Sequence, residues 1–513
     1  MILPKDLNLP AKFGEYRQGQ FETAAKIANN DKYIYLLDAP TGSGKSLIAA
    51  TVQRLVGKQM VYLCATKQLQ DQILNDFSYA RLLKGRSSYV CNKYRNMFPE
   101  VSAEDCTNSK ENPCPYDSEC YYLKAKREAI SAPLAVLNIA YFLSEANYIG
   151  TFTDIEYLTI DECDVMEDQL MNFIEVVITS KQLSELDIQP PKFKTKFESW
   201  VEWANEALNV LNPRLEHIQK EIEGNWSTVN FNLMKEEKRL SKLISKLSFF
   251  VREVDTSWVW VPSEDRWVFK PIKVSKYCEH YLWRHAKRVL GMSATILDPI
   301  QMCVNIGLKP TNYTYKALPS SFPIEIRPVI YEPCANVTNK TMDVALPALK
   351  ERIEQIMIDH PDEKILCHVV SYKIRDYLIK NIQSIRLVTH NSYNRAEILD
   401  NLKKSRMPKV LISPSMDRGV DLPGDECRVV IIAKMPFGDL GDPQVSKRVY
   451  GYKDGNRWYA HKTISKIVQM AGRGVRSKDD YAITYILDSQ FERIYNNNKS
   501  MFPGWFRESV IIK

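Results

Sequence analysis

Histidine is scarce and scattered, with seven residues among 513. No leftover carboxylate cluster accompanies them, so the sequence offers no metal-dependent nuclease centre. No uninterrupted apolar run reaches the roughly 18 residues that a membrane-crossing helix needs. The opening residues, Met1-Ile-Leu-Pro-Lys-Asp-Leu-Asn8, lack the charged-then-apolar order of a secretory signal. The expectation is a soluble cytoplasmic protein with no membrane partner. Charge of one sign is not in large excess either: 69 basic against 62 acidic residues leave +7. That balance permits a polyanionic partner without requiring one. Internal repeats and low-complexity runs are absent. The 11 cysteines are an odd number in a long chain, which argues against a secreted disulfide framework.

What is present suffices for large cores. Apolar residues make up 45% of a chain too long for one of them, so roughly two to four domains are expected. Tyr33-Ile-Tyr-Leu-Leu37 leads into a glycine loop, and Ser46-Leu-Ile-Ala-Ala-Thr-Val-Gln53 reads as a helix. Strand, loop and helix in that order open a nucleotide-binding α/β domain. Met60–Cys64, Leu134–Leu137 and Tyr157–Ile160 read as further strands of a parallel sheet covered on both faces. A polar window at about 85–125 breaks the rhythm and reads as an insertion. A second insertion, about 170–275, is helical through Arg214–Leu247. It ends in two aromatic runs around a Pro-Ser-Glu-Asp turn, Trp258–Phe269. Trp258, Trp260 and Trp267 there either stack on bases or form the buried face of a hairpin. Ile365–Val370, Lys409–Ile412, Arg428–Ala433 and Tyr481–Leu487 are strand candidates of a second sheet.

The loop Ala39, Pro40, Thr41, Gly42, Ser43, Gly44, Lys45, Ser46 puts backbone N–H groups at a helix N-terminus, where they cradle phosphates. Lys45 would reach the β- and γ-phosphates of ATP, and the Ser46 hydroxyl would hold Mg²⁺. Asp161-Glu162 follows a buried apolar run. A carboxylate there can hold Mg²⁺, and its neighbour can polarise the attacking water. Cys163 beside them reads as packing. Gln469-Met-Ala-Gly-Arg-Gly-Val-Arg476 carries Arg473 and Arg476 three apart on one helical face. Such a pair can reach across a domain cleft to the γ-phosphate.

In order, these motifs resemble the XPD/DinG family of superfamily 2 iron–sulfur DNA helicases, in a compact DinG-like form of bacterial or viral type. Arg17-Gln-Gly-Gln20 resembles the adenine-side motif, Cys64–Leu69 motif Ia, and Asp161–Asp164 the DEAH box. Met292-Ser-Ala-Thr295 is similar to motif III, Val369–Tyr372 to motif IV, Ser413–Gly424 to motif V and Gln469–Arg476 to motif VI. Lys434–Phe437, Asp442-Pro443, Cys114–Leu123 and Val136–Asn138 are also typical. The likeness runs along nearly the whole chain. Three departures stand out. Arg418 replaces the usual Glu before Gly-Val-Asp, the acidic box lacks its histidine, and the chain is short for the family.

The resemblance implies two RecA-like parallel-sheet motor domains, with an iron–sulfur insertion and a helical arch-like insertion in the first. The boundaries expected are 1–85, 126–170 and 276–300 for the first motor, 86–125 and 171–275 for the insertions, and 301–513 for the second motor. Arg17, Gln20, Gly419 and Asp421 join the loop in binding nucleotide. Lys45, Asp161, Glu162, Gln469, Arg473 and Arg476 carry catalysis. Cys91, Cys106, Cys114 and Cys120 fall in a 30-residue window. Four thiolates suit a [4Fe–4S] cluster or zinc. Their wide, uneven spacing has no close pair of knuckles and favours iron–sulfur, with unligated cysteines as the other reading.

The activity implied is ATP-driven 5′ to 3′ movement on single-stranded DNA and unwinding of tailed duplexes, by a monomeric motor with replication or repair partners. An ATP-gated remodeller that does not unwind and a helicase–nuclease fusion are the alternatives. A nucleoid-associated place, or the host cytoplasm for a viral chain, follows from the same likeness.

Overall fold

The computed structural model describes the chain except residues 1, 93–94, 97–100, 107–113, 195, 225–230, 263, 310, 417–421, 423, 473–474 and 476–479. Its strands in chain order begin with β1 (Ile34–Asp38), β2 (Met60–Cys64), β3 (Ala80–Leu83), β4 (Leu134–Asn138) and β5 (Tyr157–Asp161). Next come β6 (Val176–Thr179), β7 (Trp258–Pro262), β8 (Arg266–Pro271), β9 (Val289–Ser293) and β10 (Tyr313–Ala317). The last are β11 (Val329–Ala335), β12 (Ile365–His368), β13 (Leu387–Thr389), β14 (Val410–Ser413), β15 (Val429–Ile432), β16 (Ile483–Asp488) and β17 (Val510–Ile512).

Two seven-stranded parallel sheets form the cores of two α/β domains. The first has the order β10-β1-β9-β5-β2-β4-β3, and the second β13-β14-β12-β15-β16-β11-β17. The central strands are buried at every position, as β1, β2 and β5 are, because helices cover both faces. This order places the site. The glycine loop, the acidic pair and Met292–Thr295 leave β1, β5 and β9, three adjacent strands, at the same carboxyl edge of the sheet.

One expected boundary is corrected. The second motor does not begin at residue 301. β10 pairs with β1 from Ile34↔Tyr313 to Asp38↔Ala317, and Met302, Cys303 and Ile306 are buried in the first domain's core. A short edge strand with half-exposed residues carries no continuous apolar run, so its sequence pattern is weak.

The second insertion is more than helical. Two long helices, Phe197–Gly224 and Phe231–Glu253, lie against a three-stranded antiparallel sheet, β6-β8-β7. Trp200, Leu240, Leu243, Leu247 and Phe250 are fully buried between the layers. Trp267 packs on Trp200 with ring centres 4.7 Å apart, and Trp260 stacks on Phe269 at 6.2 Å. Trp258 and Trp267 are buried, so the aromatic run serves hairpin packing, the second of the two readings above.

Candidate nucleotide site and motor cleft

The phosphate loop needs glycine at two points, since Gly42 and Gly44 both take φ +77°. Gly44 also has no room for a side chain: a Cβ there would come 2.4 Å from Gln20 Nε2. That amide braces the loop from beneath by donating to the Ser43 carbonyl at 2.8 Å. Gln20 Oε1 accepts the Arg17 backbone N–H at 2.7 Å, and the Arg17 guanidinium donates to the Gly42 carbonyl. The Ser43 hydroxyl is buried with no partner among the described residues. Lys45, first residue of the helix Lys45–Val56, reaches the Ala39 carbonyl at 3.3 Å and Glu162 Oε1 at 4.0 Å. Free helix-end N–H groups, an unsatisfied hydroxyl and one lysine make a receptor for a polyphosphate.

Asp161 ends β5 and is buried. Burial pushes its pKa above the ordinary carboxylate value; Lys45 and the Tyr62 hydroxyl, which donates to Oδ2 at 2.9 Å, oppose that rise. Glu162 follows in the left-handed region at φ +53°, uncommon for a side-chain-bearing residue and typical of functional turns. Cys163 is buried against Gly291 of β9, where a Cβ would come 3.2 Å from its Sγ. It is a packing residue, as its sequence position suggested.

The next residue, Asp164, joins the two domains. Its Oδ1 accepts from Ser293 Oγ at 2.7 Å within the first domain. Its Oδ2 accepts from Ser465 Oγ at 3.2 Å and Gln469 Nε2 at 3.1 Å, both from the second. Gln469 also donates to Thr295 Oγ1 at 2.9 Å. Asp164 and Ser465 were not among the sequence-predicted site residues. A signal existed, because Ser465 and Gln469 stand four apart and share a helical face. Around this joint a cleft of about 890 Å³ opens. The glycine loop, Asp161 and Glu162 line it from one side, and Gln469, Gly472 and Trp505 from the other. That volume suits a nucleotide.

The structure thus brings Arg17, Thr41 to Ser46, Asp161, Glu162 and Gln469 to one cleft. Pro40 lines a small neighbouring pocket, and Ala39 is buried beneath. Arg473, Arg476, Gly419 and Asp421 lie outside the described residues.

Cys91, Cys106, Cys114 and Cys120 all lie in the segment between β3 and β4. The Cys91 N–H donates to Val101 O at 2.9 Å, and the Asn92 side chain donates to Glu119 O at 2.6 Å, tying the two ends of the cysteine-bearing stretch together. Four thiols are the right donor number for a cluster. As placed they do not fit one: among the described residues no three His, Cys, Asp or Glu side chains are grouped to hold a metal ion.

Comparison with known proteins agrees with this architecture. Residues 17–197 match the DEAD/DEAH box helicase model, and residues 353–509 match the helicase C-terminal domain model. The ATP-dependent DNA helicase YoaA of Haemophilus influenzae is 20% identical over 92% of this chain and 91% of its own length. The ATP-dependent DNA helicase DinG of Photobacterium profundum is 25% identical over 42% of this chain, a region that spans 34% of DinG. The solved structure of an XPD helicase superposes with a TM-score of 0.66 at 17% identity, covering 97% of this chain and 99% of its own. The S. tokodaii Xpd4 structure gives 0.60 at 14% identity, covering 97% of this chain and all of its own. Two helicase models matched in the right order, a DEAD/DEAH box domain and then a helicase C-terminal domain, put the chain among the superfamily 2 helicases, and the fold it shares along nearly its whole length is similar to that of the XPD/DinG-like members.

Proposed function

We propose that the chain moves 5′ to 3′ on single-stranded DNA and separates tailed duplexes, driven by Mg-ATP hydrolysis in the cleft between its two sheet domains. One observation carries this reading. Asp164 is shared by Ser293 of one domain and by Ser465 and Gln469 of the other, so a nucleotide's arrival and loss beside it act on both domains at once. Ser46 and Asp161 face the same cleft and would hold Mg²⁺ with the phosphates; the ion would screen the charge that develops on them. Glu162 would orient the attacking water. The direction of movement rests on family kinship. We also propose a [4Fe–4S] cluster on the four cysteines, on their number and their place in one insertion; holding it requires the thiols to draw together from the positions described above. The joint between Asn92 and Glu119 O would then be a support for the cluster domain.

The test uses duplexes with a 5′ or a 3′ tail. Wild-type protein is expected to displace the strand of the 5′-tailed duplex only. Lys45→Ala should lose at least a hundredfold in ATPase activity and all displacement while keeping its circular-dichroism spectrum. DNA-stimulated hydrolysis without displacement would make the chain a remodeller instead. Iron at about four per chain in the same preparation supports the cluster; stoichiometric zinc without iron would overturn it.

A further inference from the structure

Two neighbouring aromatic residues near the C-terminus have different surroundings. Phe506 is fully buried and stacks on Phe502 with ring centres 5.3 Å apart. Trp505, one residue earlier on the short helix Gly504–Ser509, is half-buried and lines the motor cleft from the second domain. Its indole N–H makes no hydrogen bond among the described residues. The ring tip lies at Gly472: a Cβ built there would come 3.6 Å from Trp505 Cη2 and 3.8 Å from Thr41 Oγ1. Indole, Gly472 and the phosphate loop therefore meet within the breadth of one side chain. Arg327 holds the helix that carries the ring. Its guanidinium donates to the Trp505 carbonyl and to Ser509 Oγ, its Nε donates to Phe322 O at 3.2 Å, and it stands 6.0 Å from the ring centre.

We propose that Trp505 is a nucleotide-binding residue, with its indole stacked on the base of ATP as the wall that the second domain supplies. The phosphates occupy the glycine loop and the N-terminus of Lys45–Val56, so the base extends along the cleft away from Lys45. A flat aromatic face whose N–H has no hydrogen-bond partner among the described residues suits a purine ring and tolerates any base. Packing alone would not leave an indole open to the cleft when Phe506 beside it fills the core. Arg327 is a positioning residue that acts through Trp505. The assignment rests on the phosphate site described above.

The experiment measures DNA-stimulated ATPase of the full chain at varied ATP. Trp505→Ala should raise KM for ATP roughly three- to tenfold, the range of one lost aromatic stack, with kcat within about twofold. Trp505→Phe should restore most of the affinity. A non-hydrolysable ATP analogue should quench the intrinsic fluorescence of wild-type protein, and the quench should shrink in Trp505→Phe. That variant keeps an aromatic ring, so this arm stands even if the alanine variant fails to fold. Arg327→Ala should raise KM alone but add nothing in the Trp505→Ala background. An unchanged KM in Trp505→Ala, or an unchanged quench in Trp505→Phe, would overturn the proposal. Lys45→Ala separates the two assignments. Analogue binding retained in that variant sinks the phosphate site, whereas loss there with normal KM in Trp505→Ala sinks only the role of Trp505.

Discussion

Asp38 shows how the site constrains single residues. It closes β1 just before the glycine loop, and its Oδ2 accepts from the Leu297 N–H at 3.0 Å and the Tyr315 hydroxyl at 3.2 Å. Burial lifts its pKa from 3.8 to about 6, with Asp164 adding to the rise and Lys45 opposing it. The folded chain therefore keeps a proton that the unfolded chain releases first. The stability this proton contributes is complete below about pH 4 and is lost as pH rises through 6, about 3 kcal/mol in all. Asp38→Asn keeps both acceptor contacts and should flatten that slope. Urea midpoints between pH 4 and 7 check it, and an undiminished slope would assign the titration elsewhere. At this scale much was legible. The need for glycine at 42 and 44 and the packing role of Cys163 follow from local pattern. The bond from Asp164 to Ser465 does not, because some 300 residues separate them; the four-residue spacing of Ser465 and Gln469 tells that they share a face but not which distant carboxylate that face meets.

Among the elements, the helix Gly455–Ala471 does the most to join the domains. Trp458, Lys462, Ser465 and Gln469 recur every three or four residues and turn one face to the first domain. Trp458 Nε1 donates to Glu167 at 3.0 Å; Lys462 pairs with Glu167 at 3.0 Å and Asp168 at 2.8 Å; buried His461 donates to Ile296 O at 2.9 Å. Asp168 and Glu167 together hold the Lys462 pKa above its ordinary value despite burial. Glu167→Ala strips Trp458 of its acceptor and Lys462 of one carboxylate. It should cost about 2–4 kcal/mol, read as a lower melting temperature, and should slow ATP turnover because Gln469 lies on the same rod. A variant with wild-type melting would show that this face bears no docking energy. The polar ridge escaped sequence reading because it looks like an ordinary solvated helix face. The apolar strands stood out instead, since four of the second sheet's seven announced themselves as continuous buried runs.

Over the whole molecule, three parts meet at Asp454. Arg448, almost fully buried, grips it with both guanidinium nitrogens at 2.8 and 2.6 Å. Lys273 of the insertion reaches it at 3.1 Å, and Gln301 of the first domain at 3.1 Å. These partners, Arg448 first, hold the Asp454 carboxyl well below its ordinary pKa, so its contribution is present above the usual carboxylate range and fades in strong acid. Asp454→Ala leaves Arg448 buried and unpaired and should cost about 3–5 kcal/mol; differential scanning calorimetry measures the loss. A change below about 1 kcal/mol would show that water replaces the carboxylate. The two-sheet plan and the helices of the second insertion were legible at this scale, whereas the place where one motor ends was not. That displaced boundary has a mechanical consequence. After β10, hydrogen-bonded to the strand that carries the phosphate loop, only residues 318–328 remain before β11 opens the second sheet. Such a strap extends to roughly 36–40 Å at most, and its first N–H, on Leu318, is fastened to Asp38 O at 2.8 Å. The halves of this engine are geared together by a short leash rooted beside the fuel, so they can swing against one another but cannot drift apart.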